Sequence, residues 1–94
     1  MTPIRSDIRA RDLRAGDVII GSKGERLTVV ELVKVLEQPK PDEREQVEKN
    51  GAERFHKGWY LTGYEIEVVN TVTGKRFMRE RRLNDLVTVE RGIE

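Results

Sequence analysis

The sequence predicts a mainly β domain, a small barrel of about five strands. Three observations carry this. Val, Leu and Ile dominate the apolar residues, with only five aromatic side chains in the chain, and β-branched residues suit the half-buried surface of a strand. Residues 13–21, LRAGDVIIG, set a short apolar run between two glycine turns. Two longer runs, 27–37 and 59–70, alternate apolar with polar residues and flank a stretch of quite different composition.

Residues 1–16 carry Arg5, Arg9, Arg11 and Arg14 with Asp7 and Asp12, and offer Ile4, Ile8 and Leu13 as apolar anchors. They read either as a flexible basic arm over residues 1–12 or as a short strand followed by a turn. Ala15-Gly16-Asp17 signals a turn, because glycine accepts a positive φ at no steric cost. Val18, Ile19 and Ile20 form the first buried strand, and the GSKG of residues 21–24 turns the chain back.

Residues 27–37 fit two periods. A helix would gather Val29, Leu32, Val33 and Leu36. Five of the eleven residues are β-branched and Gly24 stands behind them as a hairpin residue, which decides for strand. As a strand, Leu27, Val29, Val33 and Val35 share one face with Glu31 as the misfit, and Val30, Leu32 and Leu36 share the other. Apolar residues on both faces mean a strand that bends. Were this segment a helix, an α+β arrangement would replace the barrel.

Residues 38–58 form an excursion at the tip between strands two and three. Pro39 and Pro41 stop the strand. The DEREQVEKNGAER that follows is a long charged loop or a short exposed helix ended by Asn50-Gly51. Residues 59–70 are the next strand, with Tyr60, Tyr64, Ile66 and Val68 on one face and Gly63 at a bulge or bend. Residues 70–75 make a tight connection with Gly74 in the left-handed region. Arg76–Arg79 pairs back, residues 82–85 interrupt with a turn or a single helical turn, and residues 86–90 are the last strand.

LRAGDVIIG as opening turn and strand, NTVTGKRF as a hairpin, and RRLNDLVTV as a turn entering the last strand together resemble the SH3-like small β-barrels. The resemblance spans residues 13–89. It implies a five-stranded SH3-like barrel and a binding role, since such barrels serve as nucleic-acid, ribosome- or polymerase-associated and peptide-binding modules. The tip excursion departs from the compact members. The short, Arg-rich, cysteine-free chain is also similar to small uncharacterised proteins of actinobacterial phages.

Ninety-four residues make one domain. Without cysteine there is no disulfide framework, Cys-type zinc site or thiol nucleophile, and the chain suits a reducing cytoplasm. The N-terminus lacks the apolar core of a secretory signal, and no apolar run approaches the roughly 20 residues that span a bilayer. No phosphate-binding glycine loop occurs. His56 is the sole histidine, placed in an exposed loop with no second ligand, and neither Ser6 nor Ser22 sits in a nucleophile elbow. No enzyme and no cofactor is expected.

The segment with most to say is residues 75–83, KRFMRERRL, where five basic residues face one acid. Net charge over the whole chain is only +1, so any basic footprint is local. Lys75, Arg76, Arg79, Arg81 and Arg82 are the expected nucleic-acid contacts, gripping phosphates with little base readout. A regular strand cannot point both Phe77 and Met78 inward. A break after Met78 or Arg79 is therefore expected, gathering Arg79, Arg81 and Arg82 on one side. The competing expectation pairs these arginines with Glu65, Glu67 and Glu80 across the hairpin. Phe55, Trp59 and Tyr60 form the densest aromatic cluster and are the alternative anchors, for a protein partner or a second copy. An exposed strand edge could serve the same end, and a place in a larger assembly is a further option.

Overall fold

The computed structural model describes residues 4–91. Along the chain run β1 (Ile4–Arg9), β2 (Val18–Ile20), β3 (Arg26–Glu37), α1 (Arg44–Lys49), β4 (Glu53–His56), β5 (Trp59–Asn70), β6 (Arg76–Arg82) and β7 (Leu86–Arg91). Short 3-10 turns stand at Ala10–Asp12 and Pro41–Glu43. The seven strands form one antiparallel sheet in the order β1-β7-β2-β3-β5-β4, with β6 also on β5. Because β3 lines one edge of β5 throughout, β4 and β6 share its other edge, β4 against Trp59–Leu61 and β6 against Gly63–Val69.

The expected mainly β architecture is present, with two corrections. Among the described residues there are seven strands rather than five, since β1 and β4 join the expected set. The sheet is also not closed into a barrel. Among the described residues no ladder joins β6 to β1 or β7. The 3-10 turn after β1 fills that gap instead: Ala10 N–H donates to the Asp85 carbonyl at 2.9 Å and Arg11 N–H to the Leu83 carbonyl at 3.1 Å, and Ala10 is fully buried.

Residues 4–12 are thus strand and turn, not a flexible arm; residues 1–3 lie outside the described residues. β1 lies along β7 from Ile4↔Arg91 to Arg9↔Leu86. The arginines of β1 and the turn after it are largely engaged within the fold. Arg9 donates to the Asn84 carbonyl. Arg11 reaches Glu53, the Gly51 carbonyl and the Asn84 side chain, tying the tip to the β6–β7 turn. Arg5 and Arg26 flank the Glu90 carboxylate at 3.3 and 2.6 Å. Glu90 is only 8% exposed, and two guanidinium partners offset the cost of burying it.

The core gathers Ala10, Leu13, Ile19, Leu27, Val29, Ile66, Val68, Val87 and Val89, with Ile8, Leu32, Tyr64 and Phe77 packed around it. Each fully buried Ile, Leu or Val contributes about 1.5–3 kcal/mol by leaving water. β3 reaches this core by a device the alternation did not show. Val29 pairs with Val68 but Glu31 pairs with Glu67, so Val30 is an extra residue. The bulge reverses the faces. Leu32 therefore joins Leu27 and Val29 on the core side, while Glu31 and Val33 turn outward, which resolves the misfit at Glu31.

Two further expectations are corrected. Residues 38–58 contain the short helix, ended at Asn50-Gly51 with Gly51 at φ 97°, and also β4, in a stretch read as loop. β6 runs unbroken through Arg82. Phe77 packs on the core and Met78 is left 54% exposed; the pleat decides, and the outer face accepts the methionine. Gly74 has the expected positive φ, 76°, and the Asn70 side chain accepts from the Val72 and Thr73 N–H groups.

The second bulge lies where Val35 pairs with Gly63 but Leu36 with Leu61, leaving Thr62 extra. Thr62 accepts the Leu83 N–H through its carbonyl at 3.2 Å. A Cβ on Gly63 would stand 2.3 Å from the Arg81 carbonyl oxygen. Gly63→Ala should therefore lower stability by about 1–3 kcal/mol, read as a fall in the urea midpoint.

Asp17 joins the start of β2 to the end of β7. Arg91 binds its carboxylate through Nε at 3.1 Å and Nη2 at 2.8 Å, and Arg14 N–H donates to it at 2.9 Å. Burial alone would raise the Asp17 pKa, but these hydrogen bonds and charges outweigh it and hold the carboxyl below its ordinary value. The contribution is complete above the ordinary aspartate range and is lost as pH falls from about 4 toward the depressed folded value. Asp17→Asn should cost about 1 kcal/mol at neutral pH and flatten that acid limb of a stability–pH curve.

Candidate nucleic-acid interface

Residues directly opposite in an antiparallel ladder lie on the same face of a sheet. The register across β3, β5 and β6 therefore sorts the charged side chains. On the core side stand the rows Leu32–Ile66–Arg79 and Lys34–Tyr64–Arg81. Phe77, opposite Val68, continues this face toward the core; Lys75 is exposed and precedes β6, outside the ladder. On the outer side stand Glu31 opposite Glu67 and Glu65 opposite Glu80. Four carboxylates thus share the outer face, where like charges opposed across strands are unfavourable.

The five expected contacts are accordingly divided. Arg79 and Arg81 lie on the core side beyond the packed core. Arg76 and Arg82 alternate to the outer side with Met78 and Glu80. Arg76 is paired with Glu67 at 3.5 Å, as the cross-hairpin expectation held. Arg82 sits opposite Gly63, and its N–H donates to Asp85 Oδ2 at 2.8 Å to hold the turn. Among the described residues, Lys75, Arg79, Arg81 and Arg82 have no carboxylate within ion-pair distance. Arg79 is half-buried. Its guanidinium carbon lies 5.1 Å from the Phe77 ring centroid, and its Nε is buried without a hydrogen-bond partner among the described residues.

Lys34 leads from this face to the tip, its Nζ 5.3 Å from the centroid of Phe55. Phe55 and Trp59 are 50% and 42% exposed, whereas Tyr60 is 3% exposed. Tyr60 is therefore no part of an exposed aromatic anchor. It is a buried residue whose phenol lies near Arg54. Glu48 binds Arg54 Nε at 2.7 Å, and its carboxylate, with a smaller contribution from Tyr60, raises the Arg54 pKa above its already high value. His56 is exposed, at the end of β4 rather than in a loop.

His56 pairs with Trp59, so only Lys57 and Gly58 turn the chain between β4 and β5. Both have positive φ, 44° and 84°, as a two-residue type I′ turn requires. Among the described residues Lys57 is the one non-glycine with positive φ. Sequence reasoning overlooked Lys34, Arg44, Arg54 and Lys57. A signal for the last was present: Lys57-Gly58 between ERFH and WYL has the spacing of a tight hairpin.

No group of three or more His, Asp or Glu residues converges to hold a metal, and no helix is long and apolar enough to cross a membrane, among the described residues. Comparison with protein-family models, curated proteins and solved structures gives no match.

A lysine in the left-handed region is strained, by about 1–2 kcal/mol. Lys57→Gly should raise stability by about 0.5–1 kcal/mol, seen as a higher melting temperature with an unchanged circular-dichroism spectrum.

Proposed function

We propose that the protein is a non-enzymatic module that binds nucleic acid through its phosphate backbone, along the core-side face of β5 and β6 where the core ends. Arg79 and Arg81 are the main contacts, with Lys34 in the row of Arg81 and Lys75 at the other end of β6. Arg76 and Arg82, on the opposite face, are not among them.

The observation that carries this reading is the sorting of charge. Lys34, Arg79 and Arg81, which have no carboxylate within ion-pair distance among the described residues, share one side of the sheet, while Glu31, Glu65, Glu67 and Glu80 share the other with Arg76 and the unpaired Arg82. Each phosphate neutralised by Lys or Arg releases condensed counterions, so affinity tracks the local patch and falls as salt rises. Phe77 supports the patch by holding the Arg79 guanidinium over its ring, an arrangement that favours a fixed cation. Such contacts carry little sequence information.

Exposed Phe55 and Trp59 favour a second reading, a protein partner anchored at the tip. Charge reversal separates the two. Fluorescence anisotropy with labelled oligonucleotides, from low to physiological salt, should give a log–log slope of about −2 to −3 for three or four phosphates of a single strand. Arg79→Glu with Arg81→Glu should abolish binding, while Arg76→Glu with Arg82→Glu should leave most of it. Absence of binding by the parent protein at low salt would refute the phosphate reading and leave the protein-partner one.

A further inference from the structure

We infer that the tip between α1 and the β4–β5 hairpin is a pocket for one unpaired nucleotide, taking its phosphate on Arg44, Arg54 and Lys57 and stacking its base on Trp59 or Phe55. This rests on the nucleic-acid reading and names the form of nucleic acid bound.

The pocket has a volume of about 330 Å³, at the small end for ligand sites and suited to a mononucleotide. Three cations line it against one carboxylate, Glu48. That carboxylate takes Nε of Arg54 and leaves the Arg54 side chain 79% exposed. Arg44 reaches over the turn from α1: its Nη2 lies 3.3 Å from where a Cβ on Gly58 would stand. A guanidinium meets a phosphate with paired, planar donors. Lys57 adds a third cation at the apex, held in a conformation that glycine or asparagine would adopt more readily. Strain of this kind collects at ligand-binding turns.

The aromatic side is as specific. The β4–β5 register shifts between Arg54 and His56. Phe55 is thereby the unpaired bulge residue, its ring re-aimed out of the ladder and half exposed beside Lys34. Trp59 begins β5 with its ring accessible. A duplex keeps its bases stacked on one another, so an aromatic face beside a phosphate cradle selects unpaired bases. Lys34 touches the tip at Phe55, while Arg54 and Tyr60, opposite one another and in the row of Glu37, belong to the other face of the sheet.

Trp59 is the only tryptophan, and its emission therefore reports the pocket alone. The full chain would be titrated with a single strand of about ten nucleotides, a length within the usual single-strand site size. Parallel titrations would use the same strand in a duplex, adenosine monophosphate, and inorganic phosphate. The single strand should quench Trp59 and bind more tightly than the duplex, and adenosine monophosphate should quench where phosphate does not. Phe55→Leu should weaken single-strand binding about ten-fold. Lys57→Gly, which keeps the turn, should lower the salt slope by about one.

Oligonucleotide binding by anisotropy with silent Trp59 emission would overturn the pocket and leave the Arg79–Arg81 face standing. Equal quenching by phosphate and adenosine monophosphate would overturn base stacking. Quenching by adenosine monophosphate without any oligonucleotide binding would overturn the face and, with it, the pocket as a site for a nucleotide within a strand.

Discussion

The arrangement of the whole molecule depends on one unpaired residue, Val30. β3 and β5 are both 12 residues long, longer than the core beneath them. Without the bulge at Val30, Glu31 would enter the core side and Leu32 would leave it, because a one-residue slip exchanges the faces of a strand. With the bulge, Leu32 covers the edge of the core beside Ile66. Lys34 then falls in the row of Tyr64 and Arg81, and Glu31 falls opposite Glu67. A packing requirement near the core thus decides which faces Glu31 and Lys34 take further along β3.

The same two strands keep the sheet open. β5 extends beyond the edge that β6 occupies, and β4 takes the remainder. At the other end β1 covers the outer edge of β7. The chain between β6 and β7 turns through Leu83, buried under the Thr62 carbonyl and the 3-10 turn. That turn supplies two backbone hydrogen bonds at the seam, Ala10 N–H to the Asp85 carbonyl and Arg11 N–H to the Leu83 carbonyl, where a ladder would otherwise run. Arg11 then binds the tip to the seam through Glu53, Gly51 and Asn84, which gives the tip a fixed relation to the body.

Much of the fold was legible in the residues. Val18–Ile20 between glycines, the Gly74 hairpin and the final strand follow from local turn chemistry and apolar content. β1 and β4 were not legible, for a common reason. Nearly all of β1 and all of β4 are exposed, and these strands are held by backbone pairing, which leaves no apolar alternation to read. The candidate site was legible only in part. The basic composition of residues 75–82 was plain, but the division of its arginines between faces required knowing that β6 is unbroken. Expecting both Phe77 and Met78 to be buried obscured this, although an exposed methionine costs a sheet surface little. Tyr60 resembled Trp59 by position and composition; only the three-dimensional packing separates a buried phenol from an exposed indole.

Whole-chain charge is a poor guide here, and the sheet itself explains why. A sheet with its side chains is about 10 Å thick, while the Debye length at physiological ionic strength is about 8 Å. Charges on one face are therefore largely screened from a ligand on the other. On the proposed reading, a polyanion on the core side would meet Lys34, Arg79 and Arg81, and the outer glutamates would contribute little to its energy. At about 0.01 M salt the screening length grows to about 30 Å, and the same glutamates oppose binding. The two faces are electrically separate under physiological conditions and merge as salt is withdrawn. A chain of near-zero net charge can in this way present a basic surface, and the sequence-level balance of 18 Lys and Arg against 17 Asp and Glu describes neither face.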